Sequence, residues 1–152
     1  MVRINKSGHR GRYNHAHTGK FAPTHPEKFA GDYQPIYKSG LELKFMRYCD
    51  RNPMVLKWDY EGLTIKYLDK STRPEKVRNY HIDFTVWVRT KDGPKKLWVE
   101  VKQQSEVNKP VNESDVRSNK LWLKNQCKWR QAKVTALQND AEFKIITENQ
   151  LD

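Results

Sequence analysis

Apolar and polar positions alternate along two runs in the middle of the chain. Between Tyr80 and Arg89, Tyr80, Ile82, Phe84, Val86 and Val88 share one parity, and His81, Asp83, Thr85, Trp87 and Arg89 share the other. Between Lys96 and Lys102, Leu97, Val99 and Val101 alternate with Trp98, Glu100 and Lys102. A period of two is that of a strand with one buried face. The runs are separated by Lys91-Asp92-Gly93-Pro94, and Asp-Gly is a hairpin-turn signal. A four-residue loop there pairs Thr90 with Lys95. Counting back sets Asp83 opposite Lys102, with Glu100 diagonal to Asp83 at roughly 7–8 Å. The apolar pattern alone therefore places Asp83, Glu100 and Lys102 on one face of a hairpin.

Other patterns supply the surrounding elements. Ser39-Gly40-Leu41-Glu42 fits a capping box, with Ser39 as N-cap and Glu42 at N3. The apolar stripe Leu41, Phe45, Met46, Cys49 then predicts a helix that ends before Asn52-Pro53. Two short strands follow, Met54 to Trp58 and Leu63 to Leu68, joined by a turn at Asp59 to Gly62. Asp69 to Arg78 is polar and reads as a loop. Beyond Lys102 a charged loop runs through Val111. Asn112 to Gln138 reads as a helix whose apolar positions are Val116, Trp122, Leu123, Trp129, Ala132 and Ala136. Glu142 to Thr147 reads as a last short strand. Residues 1–37 are rich in Gly, Pro, His and basic residues and carry no sustained periodicity. They predict an extended basic arm that wraps the domain or orders on a partner. The organisation expected is arm 1–37 followed by an α/β domain, 38–152. Helix, antiparallel-linked strands, helix and strand, in that order, predict an α/β sandwich with a central sheet flanked by helices.

A chain of 152 residues fits one domain. It contains no run of eighteen apolar residues and no signal-peptide core, so neither a membrane span nor secretion is expected. The formal net charge is +11, with five Trp and seven Tyr among 29 Lys and Arg. That balance suits a polyanion, nucleic acid ahead of an anionic membrane. Lys120, Lys124, Lys128, Arg130 and Lys133 on the long helix suit a phosphate backbone, or simply a solvated helix face. Cys49 and Cys127 form neither a disulfide framework nor a zinc set and read as reduced fillers. His9, His15, His17 and His25 lie in the arm, and His15-x-His17 lacks the further ligands of a zinc site.

The charged residues of the hairpin carry the candidate chemistry. Two carboxylates, Asp83 and Glu100, suit a hard divalent cation. Lys102 beside them suits an attacking water or a phosphate charge. Asp…Glu-x-Lys is short, and an ordinary solvated sheet face can carry the same residues. Glu42, on the first helix, is a third acid, and its capping role is a rival explanation for it.

These residues resemble the PD-(D/E)xK restriction-endonuclease-like nucleases: Glu42 on an early helix, Asp83 on a strand, and Glu100-Val101-Lys102 on the next. More narrowly, Tyr37-Lys38-Ser39-Gly40-x-Glu42-x-Lys44-Phe45, Asn52-Pro53, Trp58-x-Tyr60-Glu61, Tyr80-x-x-Asp83-Phe84 and Ile146-Thr147-Glu148 are similar to the head completion nucleases of tailed phages. The endonuclease subunit of heteromeric transposases looks similar in its Asp-Phe and Glu-x-Lys core. Ile82 stands where the superfamily often has proline. The resemblance implies a restriction-endonuclease-like fold with a mixed sheet and an Mg²⁺-dependent deoxyribonuclease in which Mn²⁺ can substitute. Asp83, Glu100, the Val101 carbonyl and Glu42 would hold the metal, Lys102 would assist the water, and His81 would be a candidate helper. It further implies double-stranded DNA as partner, contacts with portal, neck or other head proteins, and neither a membrane nor a small-molecule substrate. The setting implied is the virion neck, and the host cytoplasm during assembly. A catalytically silent DNA-end or portal-binding protein, a transposase-like subunit and a junction resolvase are the alternative readings.

Overall fold

A computed structural model of the chain describes residues 18–151. The first seventeen residues of the predicted arm, with His9, His15 and His17, lie outside the described residues. The strands are β1 (Gly19–Lys20), β2 (Ile36–Tyr37), β3 (Val55–Asp69), β4 (Lys76–Thr90), β5 (Gly93–Val101) and β6 (Ala141–Ile146). The helices are α1 (Gly40–Arg51), α2 (Gln104–Val107), α3 (Val116–Gln138) and α4 (Glu148–Leu151). β1 and β2 pair as a small ribbon, and β3-β4-β5-β6 form the main sheet in that order. β3, β4 and β5 are antiparallel neighbours, whereas β6 runs parallel to β5. A parallel pair needs a crossover connection, which α3 provides. The sheet is thus mixed and flanked by helices, as expected.

Local chemistry explains the boundaries of α1. The Ser39 hydroxyl accepts from the Glu42 N–H at 3.1 Å, the capping bond expected. Phe45, Met46 and Cys49 are buried, and the helix stops at Arg51, just before Asn52-Pro53. Both cysteines are free: Cys49 is fully buried and Cys127 partly so.

Several expectations need correction. Asp59 to Gly62 is not a turn between two strands. β3 is continuous there and carries a β-bulge, since its register to β4 shifts between Tyr60↔Phe84 and Leu63↔Ile82. Glu61 in the bulge takes a φ of 51°. A bulge bends and further twists its strand without ending it, and local turn signals do not separate the two cases. The polar stretch after Leu68 is a loop only over residues 70–75: β3 reaches Asp69 and β4 begins at Lys76, so its two ends are strand. Asp69 is buried because Arg78 pairs with it at 2.7 Å and the Ser71 N–H donates to it at 2.9 Å. The long helix starts at Val116, capped by Asp115, whose carboxylate accepts from the Ser118 N–H. A one-turn helix, α2, occupies part of the loop before it.

The β4–β5 register differs by two residues from the expected one. Thr90 pairs with Gly93 and Val88 with Lys95, so the loop has two residues, Lys91 and Asp92. Gly93 makes this possible with a φ of 101°, a conformation that side chains resist. Pro94 lies in the outer end of β5, where its missing N–H is tolerated.

The cores form on both faces of the sheet. Phe45, Met46 and Cys49 of α1 pack with Trp58, Tyr60, Phe84, Val86, Val99 and Val101. Trp129, Ala132 and Ala136 of α3 pack with Ile65, Tyr67, Tyr80, Ile82, Trp98 and Phe143. Two consequences depart from a sheet with one buried face. Trp98 is only 3% exposed, on the face predicted to be polar. Tyr80 and Ile82 belong to a different core from Phe84 and Val86, despite their shared parity. The change falls at Asp83, opposite the bulge and beyond the last β4–β5 pair, Phe84↔Val99.

Residues 18–37 pack against α1 and β3. Phe21 is buried in the α1-side core. The N–H groups of Thr24 and His25 donate to the buried Asp50 carboxylate at 2.9 and 2.8 Å. The Lys28 ammonium donates to the Asp50 and Asn52 carbonyls at the end of α1, at 3.0 and 2.9 Å. Phe29 packs on Trp58 with ring centroids 4.6 Å apart, and the Tyr33 hydroxyl donates to the Tyr60 carbonyl.

Candidate active site

Continued one step past Phe84↔Val99, the observed register sets Asp83 directly opposite Glu100, and not opposite Lys102. The two-residue change in register preserves parity, which is why Asp83 and Glu100 still share a face.

That face is covered by protein. Glu100 is 7% exposed, next to the buried Trp98. Its Oε2 accepts the Tyr80 hydroxyl proton at 2.5 Å. Asp83 Oδ2 accepts the Val101 N–H at 2.9 Å, and the two carboxyls hydrogen-bond to each other. Burial raises the Asp83 pKa well above the usual carboxylate range. The Glu100 and Glu42 charges raise it further, against the Val101 N–H. Burial also raises Glu100, opposed by the Tyr80 hydroxyl and by the charges of Lys102 and Lys128. Both carboxyls are thus pushed toward the protonated form, because two carboxylates this close resist joint ionisation.

Glu42 is set by the start of α1 and by β3. Its Oε2 accepts from the Lys38 N–H at 2.7 Å and from the Tyr60 hydroxyl at 3.0 Å. The reciprocal capping bond thus reaches one residue beyond the N-cap. Burial raises the Glu42 pKa, and these two donors oppose the rise. The carboxylate is held by its own helix entrance while its charge is felt at Asp83. The bulge is tied to the same region, since Lys38 pairs with Glu61 at 2.7 Å.

Lys102 follows β5, its N–H donating to the Ile146 carbonyl at 3.0 Å. Lys128 approaches from α3, with its ammonium 5.4 Å from the centre of the Tyr80 ring. Burial lowers the Lys128 pKa, the Glu100 and Asp83 charges oppose that, and Lys124 and Lys102 add to it. Lys120 and Arg130 are exposed, and Lys124 is half-buried. His81 is exposed, and its Nδ1 is 2.8 Å from the Thr64 hydroxyl.

Sequence reasoning missed Tyr80 and Tyr60 as partners of the acids. In a regular strand Tyr80 would face away from Asp83, so parity argued against it until the bend in β4 is known. The indole N–H of Trp129 is buried in the same core as Tyr80 and meets no hydrogen-bond acceptor.

The arrangement is chemically suited to a divalent cation. Asp83 and Glu100 present hard oxygen donors from facing positions, and their crowded negative charge is what a cation relieves. Among the described residues no three His, Cys, Asp or Glu side chains converge into a closed metal cage. The side-chain donor set is therefore the Asp83–Glu100 pair, with Glu42 held beside it.

Residues 52–148 match the family described as TnsA-like endonuclease N terminal. The chain is also similar to the head completion nuclease of Enterobacteria phage T4. The two are 29% identical over 146 residues, which span 90% of this chain and 94% of that protein. No solved structure matches significantly.

Proposed function

Because the chain belongs to the TnsA-like endonuclease N-terminal family, we propose that it is a metal-dependent deoxyribonuclease with a restriction-endonuclease-like fold. The observation that carries this reading is Asp83, partly exposed, set beside the buried Glu100, with Lys102 two residues on from Glu100. Asp83 and Glu100 would hold Mg²⁺, or Mn²⁺ in its place, with the Val101 carbonyl as a backbone ligand and Glu42 as an outer acid. Such an ion polarises a phosphoryl oxygen and makes bound water more acidic. Lys102 would orient the attacking water and balance the charge that develops on phosphate. The water oxygen forms a bond to phosphorus, the phosphodiester P–O bond breaks, and the departing oxygen takes a proton. The Tyr80 hydroxyl keeps one oxygen of Glu100 in place throughout, and the Val101 N–H does the same for Asp83.

Similarity to the T4 head completion nuclease over nearly the whole of both chains supports double-stranded DNA as substrate. We further propose action on packaged DNA at the capsid neck before tail attachment, with portal or other head proteins as partners. A second reading, a silent DNA-end-binding protein, is favoured by Glu42 being already engaged by Lys38 and Tyr60. A transposase-like subunit follows from the family match alone. Nicking of supercoiled plasmid with Mg²⁺ and with EDTA separates these. We expect cleavage only with the metal, and its loss in Asp83→Ala, Glu100→Ala and Lys102→Ala with the far-UV circular dichroism unchanged. Full activity of Asp83→Ala would sink the nuclease assignment.

A further inference from the structure

We infer that Lys128 of α3 contacts the phosphate to be cleaved, as a second lysine near the acid pair besides Lys102; this rests on the nuclease reading. Three observations place it there. Its ammonium sits over the ring of Tyr80, whose hydroxyl is bonded to Glu100. The charges of both acids and of Lys102 and Lys124 act on it, which puts these groups within electrostatic reach of its ammonium. Among the described residues the ring contact with Tyr80 is its defined partner, and no ion pair is formed with either acid. A half-buried ammonium facing other ammonium groups is electrostatically costly, and a phosphate oxygen placed between them relieves that cost.

Helix geometry separates Lys128 from the other basic residues of α3. At 3.6 residues per turn, Arg130 lies about 200° around the helix from Lys128, and it is exposed. Lys124 is one turn earlier on the same side and half-buried, and Lys120 a further turn out and exposed. The row Lys120, Lys124, Lys128 therefore leads from solvent to the acid pair, and Lys128 is its inner end.

The test uses the full chain and a short labelled DNA duplex. Fluorescence anisotropy in EDTA, across a salt series, gives the slope of log affinity against log salt. Loss of one phosphate contact lowers that slope by about 0.9 for B-form DNA. We expect this loss in Lys128→Met and a wild-type slope in Lys128→Arg, which keeps the charge. Thermal melting checks that both variants fold, and Met retains the packing on Tyr80. With Mg²⁺, kcat for nicking should fall at least ~10-fold in Lys128→Met and recover in large part in Lys128→Arg. A wild-type slope in Lys128→Met overturns the proposal, and so does a lowered slope with unchanged kcat, which would put the contact away from the scissile phosphate. A wild-type protein that binds DNA but never nicks it sinks the nuclease reading instead, and the slope in EDTA then decides whether Lys128 is a phosphate contact.

Discussion

At the scale of single residues, the Asp83–Glu100 pair trades stability of the metal-free protein for a site poised to accept positive charge. The Asp83 carboxyl is held protonated above its ordinary range by burial and by Glu100. An unfolded aspartate titrates near ~3.9. Above that pH, up to the raised native value, the folded chain binds more protons than the unfolded one. Stability then falls as pH rises across this window. Asp83→Asn removes the charge while its amide oxygen can still accept from the Val101 N–H. Melting in EDTA should show Asp83→Asn gaining stability over wild type at pH 8 and little at pH 4. An equal or lower melting temperature at pH 8 would mean that the carboxylate is not under this electrostatic load. Parity alone identified Asp83, Glu100 and Lys102 as face-sharing residues, because a two-residue register change leaves parity intact. Parity could not identify Tyr80 as a partner of Glu100, since the bend in β4 is caused by a bulge in the neighbouring strand.

At the scale of elements, the site is assembled where four of them meet: the start of α1, the β3 bulge, the diverging ends of β4 and β5, and the flank of α3. The entrance to α1 links helix stability to the position of Glu42. Ser39→Ala removes the hydroxyl that accepts the Glu42 N–H and should cost about 1 kcal/mol. It should also reduce cleavage by loosening Glu42. Chemical denaturation and the nicking assay measure the two effects, and loss of stability with unaltered cleavage would separate Glu42 from catalysis. The capping motif and the stripe of α1 were legible because both are local. The covering of the Asp83–Glu100 face by α3 was not. It depends on a crossover that brings residues some thirty positions downstream onto the sheet, and α3 shows its core residues, Trp129, Ala132 and Ala136, only in its second half.

At the scale of the whole molecule, residues 18–37 are bound to the rest of the structure through Asp50. Burial alone would raise the Asp50 pKa, but the N–H groups of His25 and Thr24 bring it below the ordinary value. Asp50→Ala leaves those two N–H groups without their acceptor and should cost about 1–3 kcal/mol. Limited proteolysis should then cut within residues 18–37 sooner than in wild type, and an unchanged cleavage pattern would show that Phe21 and Phe29 suffice to hold the segment. The sequence by itself determined a helix-flanked sheet, the first helix with its cap, the hairpin and the shared face of the candidate acids, because periodicity, capping and turn chemistry act over a few neighbouring residues. Only the tertiary structure decided that Asp83 faces Glu100, that their face is buried, that Tyr80 and Tyr60 hold the acids, and that Lys128 joins them. Those outcomes depend on a glycine-enabled two-residue loop, a bulge in an adjacent strand and a helix returning across the sheet, and each is settled by packing between segments far apart in the chain.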